Sequence, residues 1–351
     1  MGWLMAFVLL AAIILVHEAG HFLAARAVGV KVNAFSLGFG ADTRLKVFGK
    51  EIRLGTSFKF GETEYRLGAI PLGGYIEQDE ESFNRASLLR RTVVILAGVK
   101  ANFLLAVALM WSIFFTGYPA MAPVVGAVFD GSPAEQAGLE GGDTVIMLDG
   151  HAVRAWDEIA KILVAGGGKT VEVIVRRDGV ETRSFVTPQR TEAKNAIGLP
   201  EERFTIGIAP TGEFVTVALP FFEAVERAVS FNYDMLKLNA QGILAIFTGE
   251  LAAKDNLAGP VGIVSVSNQA YQAGWTTYVM LAALISAVVG MMNLLPLPVL
   301  DGGQFVFLAC EGVFGLTPSE NVRAALNTLS LAALLALMLY ATWFDVVRIV
   351  G

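Results

Sequence analysis

The sequence has very few cysteines and few charged residues, and both deficits narrow the class of protein. Cys310 is the only cysteine among 351 residues, which excludes an internal disulfide framework and a zinc cluster built from cysteines. Charged residues make up 17% of the chain, whereas soluble globular domains carry about 25%. The formal net charge of −6 provides no broad basic face, so nucleic acid is not an expected partner.

The sequence contains several long apolar runs, which predict a protein that crosses the lipid bilayer several times. A helix needs about 20 apolar residues to span the bilayer. Runs of this kind cover residues 3–27, 92–118, 276–295 and 325–344. Pro296 and Pro298 forbid continuation of the third helix, and the apolar piece 304–315 is too short to cross. Charges interrupt residues 214–251, which favours amphipathic helices at the membrane interface.

Basic residues predict the orientation of these segments. No Lys or Arg precedes the first run, so it lacks the basic start of a cleaved signal and is expected to stay in the mature protein. Residues 28–91 are rich in Lys and Arg, whereas residues 119–153 contain neither. By the positive-inside rule, the first and third spans run inward and the second returns outward. The end of the first span and residues 297–303 are therefore expected on the cytoplasmic side, with residues 119–254 outside.

Two stretches between the spans have the pattern of folded β-containing regions. Residues 31–78 consist of short, glycine-punctuated pieces that predict hairpins, with turns at FGK (48–50) and FGE (60–62). Residues 123–190 alternate strand-like runs with two short helical segments. The expected fold is a multi-pass α-helical membrane protein with about four transmembrane segments, a membrane-associated β-hairpin region and an inserted α+β domain. The predicted divisions are 1–30, 31–91, 92–118, 119–212, 213–275, 276–303, 304–324 and 325–351.

The motif HEAGH, residues 17–21, places ionisable residues inside the first apolar run. Such residues are costly at membrane depth and usually have a function, although they can also line a contact between helices. On a helix, His17 and His21 lie on one face, one turn apart, and can bind one metal ion. Glu18 can then reach a water molecule beside the metal without being a ligand. This HExxH arrangement is typical of zinc metalloproteases, in which the glutamate is the general base.

A catalytic zinc site requires a third protein ligand in addition to the two histidines. His151 is a poor candidate because it lies in a turn of the exterior region. Asp301, in LPVLDGG, follows the proline-broken helix on the same predicted side as HEAGH, although it could instead cap the next helix. Glu311 and Asp345 are weaker candidates. From these residues alone, Asp301 is favoured and the alternatives stay open.

Together these motifs resemble the site-two protease family of intramembrane zinc metalloproteases, specifically its bacterial branch of the regulator of sigma-E protease type. HEAGH is similar to the HExxH of the family, and NLLPLPVLDGG (293–303) is similar to its NxxPxPxLDG motif. PLGGYI (71–76), FNRASLLRRTVVILAG followed by Asn102, and GPVGI (259–263) are also similar. The stretch from VVGAVF to LDGHAV (124–153) resembles a single PDZ domain of bacterial proteases. The usual AGP of the second span reads AGV here, so a proline-related bend is not expected.

The resemblance implies roles for individual residues. His17, His21 and Asp301 would bind one zinc ion, and Glu18 would act as the base. Asn293 would contact the substrate or the developing oxyanion. The β-rich region would meet the substrate, with Gly73 and Gly74 close to it.

The expected function is therefore zinc-dependent cleavage, in a bacterial plasma membrane, of the transmembrane segment of a single-span protein such as an anti-sigma factor. Two other functions compete with this one: a membrane scaffold whose PDZ domain binds peptides, and a zinc transporter. Glu18 argues against both, because neither needs a base beside the metal ligands. A transporter would also need several sites along a path, and the sequence offers one cluster.

Overall fold

The computed structural model describes residues 2–41, 44–47, 50–53 and 55–350. Phe48 and Gly49 of the predicted FGK turn lie outside these residues. Contacts within the chain divide it into two compact units. The first combines Met1–Ser112 with Val225–Gly351, and the second is Ile113–Ala224.

Long apolar helices dominate the first unit. Four helices in the described part of the chain have the length and composition to cross a membrane: Leu4–Ala27, Leu88–Thr116, Trp275–Asn293 and Glu320–Val350. They lie within helices α1 (Gly2–Ala27), α3 (Leu88–Thr116), α9 (Trp275–Asn293) and α11 (Glu320–Val350). These candidates correspond to the four apolar runs of the sequence.

Further helices outside residues 119–212 are shorter or less apolar. They are α2 (Glu80–Arg85), α6 (Phe221–Thr248), α7 (Ala253–Asn256), α8 (Pro260–Ala273) and α10 (Asp301–Phe314). Residues 214–251 were predicted to form interfacial helices, but residues 214–217 form a strand instead, and the rest contribute the single helix α6, which is not among the candidate spans. Its position at the membrane interface stays a prediction. Helix α10 has 14 residues, which is too short to cross a bilayer, as expected.

Between α1 and α3 the chain forms a mixed four-stranded sheet rather than a series of hairpins. Its strand order is β4 (Gly55–Phe60), β5 (Thr63–Gly68), β1 (Val32–Phe39) and β6 (Ile70–Gln78). Strands β4 and β5 form the hairpin predicted around FGE, but β1 pairs parallel with β5 and antiparallel with β6. Strands β2 (Arg44–Val47) and β3 (Lys50–Arg53) form a separate antiparallel pair. The order leaves β6 as a terminal strand of the described sheet.

Close contacts between small residues bring α1 against α3. A Cβ added to Gly20 would lie 2.6 Å from the backbone O of Ala97 and 2.7 Å from Cβ of Ala101, so no larger residue fits without movement. Small residues at such contacts allow membrane helices to approach closely. The Tyr278 hydroxyl of α9 also donates a hydrogen bond to the backbone O of Met5 at 2.6 Å. The glycine of HEAGH, Gly20, therefore has a packing role.

A tight turn after α9 carries the chain into α10. The N–H of Leu300 donates to the O of Leu297 at 2.8 Å, which closes the turn. A Cβ on Gly302 would lie 2.2 Å from the O of Leu294, and one on Gly303 would lie 2.2 Å from the O of Leu297. Both glycines of LDGG are thus required by the close approach of the turn to α10. The turn fixes the position of Asp301, the first residue of this helix.

The second unit is an α+β fold. Its main sheet has the order β10 (His151–Ala152), β9 (Thr144–Leu148), β11 (Val171–Arg177) and β12 (Val180–Val186). Two-stranded pairs form between β7 (Tyr118–Met121) and β16 (Phe214–Val217), between β8 (Val125–Val128) and β15 (Ile208–Pro210), and between β13 (Gln189–Lys194) and β14 (Pro200–Thr205). The helices are α4 (Pro133–Gln136) and α5 (Trp156–Ala165). Alternate residues of β11, namely Val171, Val173 and Val175, are buried in its core.

Candidate metal centre

The structure brings together three ligand atoms from α1 and α10. Nε2 of His17 and Nε2 of His21 lie 3.2 Å apart, and Oδ2 of Asp301 lies 3.2 Å from each of them. Among the described residues, these three are the set of histidines, cysteines and acids that could bind a metal ion. Both histidines are buried, at 8% and 7% exposure. The HEAGH motif thus acquires its third candidate ligand from a segment distant in sequence.

Hydrogen bonding orients His21 for this role. Nδ1 of His21 donates to the backbone O of Val94 in α3, at 2.8 Å. In a neutral imidazole, a proton on Nδ1 leaves a lone pair on Nε2. Metal-binding histidines almost always use their second nitrogen in this way, because the hydrogen bond fixes both the ring orientation and the tautomer. The lone pair of Nε2 therefore faces Asp301.

The donor set fits a zinc ion. Oδ2 of Asp301 is buried and accepts no conventional hydrogen bond in the described structure. Lone pairs that converge at 3.2 Å repel one another unless a cation lies between them. Tetrahedral zinc, with bonds of about 2.0–2.1 Å, separates its ligand atoms by about 3.3–3.4 Å, close to the observed spacing. Two imidazoles, one carboxylate and an open position are the expected composition of a catalytic zinc site.

Gly98 of α3 keeps space beside the imidazoles. A Cβ at this position would lie 2.2 Å from Nε2 of His21 and 2.7 Å from Nε2 of His17. Any side chain larger than hydrogen would therefore overlap the two ligand atoms. Only glycine at position 98 allows α3 to approach the histidines this closely.

Glu18 and the sheet share a cavity with the three candidate ligands. The cavity has a volume of about 500 Å³, and its lining includes His17, Glu18, His21, Gly74, Tyr75, Ile76, Asn293 and Asp301. A Cβ on Gly74 would lie 3.0 Å from Cγ of Glu18, so glycine allows β6 to pass directly beside the predicted base. The arrangement places a carboxylate, a possible metal site and a strand around one cavity.

Asn293 and Gly73 occupy different settings from Gly74. Asn293 is the last residue of α9 and lines the cavity, and its Nδ2 donates to the O of Val289 at 2.9 Å. The amide has a second N–H, which this bond does not use. Gly73 has a φ of 104°, a backbone conformation that favours glycine. It is not among the residues that line the cavity.

The weaker candidates for the third ligand have other partners. His151 is exposed in the second unit, where its Nδ1 donates to the O of Asp149 at 2.9 Å. Glu311 accepts two hydrogen bonds from the guanidinium of Arg91. Asp345 is buried and accepts the N–H of Gly262 at 2.7 Å, near the start of α8. The helix-capping alternative for Asp301 also finds no support, because the residue at the N-cap of α10 is Leu300.

Sequence reasoning assigned no role to Gly98 or Asn102, although both contact the imidazoles. Nδ2 of Asn102 lies 3.2 Å from Nδ1 of His17. The available signal was a glycine and an amide four residues apart within an apolar helix, where polar residues are costly. That spacing places both on one face of α3, but the sequence does not show which helix this face meets.

Comparison with known proteins identifies the family. The model of peptidase family M50 matches residues 5–337. The chain belongs to peptidase family M50. Its relatives include a provisionally named zinc metalloprotease of Campylobacter jejuni, 32% identical over 97% of this chain and 91% of the relative. A similarly named protein of Agrobacterium fabrum is 31% identical over 100% of this chain and 97% of the relative.

Another relative carries a more specific name. The regulator of sigma E protease of Haemophilus influenzae is 29% identical over 97% of both chains. Among solved structures, the PDZ domain of an SdrC-like protein from Listeria monocytogenes is 23% identical, covering 27% of this chain and 90% of its own, with a TM-score of 0.20. No conclusion about the second unit rests on that similarity.

Membership of peptidase family M50 confirms three predictions at a general level. The chain is a protease, it is related to zinc metalloproteases, and its apolar helices agree with a membrane protein. The site-two protease resemblance of the sequence is likewise confirmed. The residue roles, the substrate and the orientation in the membrane go beyond this family assignment.

Proposed function

We propose that this M50 peptidase is an intramembrane zinc endopeptidase that cleaves the transmembrane segment of a single-span membrane protein. The observation that carries the proposal is the convergence of His17, His21 and Asp301 at 3.2 Å, with both histidines on a candidate membrane helix. The nearby Glu18 lines the same cavity. A scaffold or a transporter would not need this base, and no observation favours either function.

The chain's own residues have distinct parts in the proposed reaction. His17, His21 and Asp301 would hold one Zn²⁺, which supplies Lewis-acid polarisation of the scissile carbonyl and of water when bound. Glu18 accepts the proton of the attacking water and delivers it to the leaving amine. Asn293 offers an amide N–H to the peptide carbonyl. Gly74 gives the substrate backbone access to the strand that borders the cavity.

The proposed setting is a bacterial plasma membrane, with the site towards its cytoplasmic side. Basic residues in 28–91 and their absence from 119–153 support this orientation through the positive-inside rule. Residues 119–212 would then form an extracytoplasmic PDZ domain, and residues 31–91 would lie on the cytoplasmic side. The site supports this substrate class, because a cavity on a candidate membrane helix would receive peptide bonds that are themselves embedded in the bilayer.

The direct test is cleavage by the purified full chain of a single-span membrane protein of the anti-sigma-factor type. The reaction is run with and without a zinc chelator, and the products are identified by mass spectrometry. We expect cleavage within the membrane segment, its loss with chelator and its recovery on addition of zinc. Cleavage only outside that segment would contradict the proposal.

Glu18→Gln is the matched control variant for the chemistry. Glutamine keeps the size and polarity of the side chain but cannot accept the proton. We expect zinc content to match that of the unmodified protein and cleavage to fall by at least about 10²–10⁴-fold, the usual contribution of general acid–base catalysis. Cleavage by this variant at the unmodified rate would remove Glu18 from the role of base.

A further inference from the structure

Asn102 is a buried polar residue within an apolar helix, and the chemistry proposed above does not use it. It lies in α3 at 0% exposure. The hydroxyl of Ser286 in α9 donates to the backbone O of Asn102 at 2.9 Å, and this bond anchors the main chain of α3 at this point. The side-chain amide extends towards α1, where Nδ2 lies 3.2 Å from Nδ1 of His17. An amide oxygen buried in an apolar helix bundle is costly unless it accepts a hydrogen bond.

The recorded orientation of this amide leaves two groups badly matched. Oδ1 of Asn102 is buried and has no hydrogen-bond partner in the described structure. Nδ2 faces Nδ1 of His17, and for His17 to offer a lone pair on Nε2, the proton of a neutral ring must be on Nδ1. Two N–H groups would then point at each other. The O and N atoms of an amide are assigned from hydrogen bonding, so a half-turn of the group is an equally valid placement.

We propose that Asn102 is the positioning residue of His17: its Oδ1 accepts the Nδ1–H of the imidazole. A half-turn of the amide provides this bond and also gives the buried oxygen its missing partner. The bond fixes the tautomer in which Nε2 of His17 faces Asp301. This inference rests on the proposed zinc site and extends it to α3.

The opposite arrangement has a different consequence. If Nδ2 donated to a lone pair on Nδ1, the proton of the neutral imidazole would be on Nε2, where it would block the metal.

Helix α3 already orients His21 through the backbone O of Val94. Val94, Gly98 and Asn102 are spaced by four residues, so they share one face of α3. This face therefore holds one histidine through a carbonyl and the other through an amide, with glycine between them.

The test compares two substitutions in the purified full chain. Asn102→Leu has a similar size but cannot accept a hydrogen bond, whereas Asn102→Asp keeps and strengthens the acceptor. Zinc affinity is measured by competition with a chelator. We expect Asn102→Leu to weaken zinc binding by roughly 10–100-fold, as is usual for loss of such a partner. Asn102→Asp should bind zinc at least as tightly as the unmodified chain. Equal weakening by both substitutions would overturn the proposed acceptor role.

Ser286→Ala is the matched control for a lost buried hydrogen bond at the same helix contact. It removes the bond to the backbone of Asn102 and leaves the imidazole contact, so its zinc affinity should change by less than about threefold. A loss of zinc affinity as large as that of Asn102→Leu would assign the effect to helix packing and overturn the proposal.

A spectroscopic measurement keeps the inference testable if Asn102→Asp does not fold. The sequence contains three histidines, so a chain with ¹⁵N-labelled imidazoles gives few signals. In the zinc-loaded protein, the Nδ1–H signal of His17 should be protected from exchange with water, and Asn102→Leu should remove this protection. An unprotonated Nδ1 in the zinc-loaded protein would overturn the proposal.

These outcomes are separable from those that test the proposed function. A zinc-loaded chain with a protected Nδ1–H that cleaves no membrane segment would refute the function and leave the role of Asn102 intact. Cleavage of the membrane segment, together with equal zinc affinity in Asn102→Leu and the unmodified chain, would support the proposed function and refute the role of Asn102.

Discussion

Gly98 lies directly against His21: a Cβ at position 98 would be 2.2 Å from Nε2 of the imidazole. This is the nitrogen that faces Asp301 at 3.2 Å. The residue that packs beneath the histidines must therefore lack a side chain for the ligand atoms to remain accessible.

Gly98→Ala should therefore remove zinc from the protein while the helices remain folded. The added methyl group overlaps both ligand nitrogens, and the hydrogen bond from Nδ1 of His21 to the O of Val94 restrains movement of that ring. We expect zinc affinity to fall by more than about 100-fold, which exceeds the usual loss from an outer hydrogen-bond partner. Metal analysis after mild chelation and zinc repletion provides the measurement.

Gly312→Ala is a suitable control for the glycine substitution. Its added Cβ would lie 3.2 Å from a flexible methyl group of Leu88, away from the imidazoles. Zinc content should stay at the unmodified level. If Gly98→Ala also retained zinc at unmodified affinity, the metal would not lie where the two imidazoles converge.

Asp301→Ala should abolish tight zinc binding because it removes a candidate ligand atom. Loss of a ligand is expected to cost more than the 10–100-fold that follows loss of a supporting hydrogen bond. Glu311→Gln and Asp345→Asn are the controls, since the first carboxylate bonds Arg91 and the second accepts the N–H of Gly262. Zinc titration distinguishes the three variants. If Asp301→Ala retained zinc and one of the two control variants lost it, the acid replaced in that control would be the metal ligand instead.

A substrate helix is expected to open and add to the edge of the sheet at β6 before it is cut. Opened backbone groups at membrane depth cost several kcal/mol each unless they find partners, and a terminal strand offers such partners. Proline at Ile70 or Tyr75 should therefore slow cleavage and leave zinc content unchanged. Helix-weakening Gly, Pro or Asn residues in the substrate span should speed it. Cleavage rates measured on both series test the idea.

Lys59→Pro provides the comparison for the strand substitutions, because β4 is the terminal strand at the opposite side of the same sheet. It should leave cleavage unchanged. If neither the prolines in β6 nor the substitutions in the substrate changed the cleavage rate, residues 31–78 would be better explained as a simple lid.

Acid should destabilise the second unit through Asp143. This carboxylate is fully buried and bonds Nε of Arg177 at 2.7 Å and the N–H of Glu140 at 2.9 Å. Burial by itself would raise the pKa of Asp143, but these bonds hold the pKa below its usual value. Because the pKa is lower in the folded than in the unfolded chain, the stabilisation is complete above about pH 4 and is lost as pH falls through the folded pKa.

Hydrogen exchange of the β11 amides in the full chain measures this dependence. Asp143→Asn should lower the protection of these amides from exchange at pH 7. The expected decrease in their opening free energy is on the order of 1.5–3 kcal/mol. The substitution should also flatten the decline of protection below about pH 4. Asp130→Asn, at an exposed position, should change neither. An unchanged acid profile in Asp143→Asn would assign the acid sensitivity to other groups.

Local patterns were sufficient to predict the helical frame and the identity of the candidate ligands. The i, i+4 spacing of His17 and His21 depends only on helix geometry, and the apolar runs depend only on length and composition. Pro296 and Pro298 likewise ended α9 through a local effect. Strand pairing could not be predicted in the same way. The parallel pairing of β1 with β5 joins strands separated by β2, β3 and β4, so no turn signal encodes it.

The sequence by itself determined which residues carry the proposed chemistry, because their residue types and spacing are local properties of HEAGH and LPVLDGG. The tertiary structure decided which atoms meet. The convergence of Asp301 with the histidines at 3.2 Å requires the turn before α10, and the contacts of Val94, Gly98 and Asn102 require α1 to pack on one particular face of α3. Packing between helices depends on the shapes of both partners, and a single helix sequence contains only one of them.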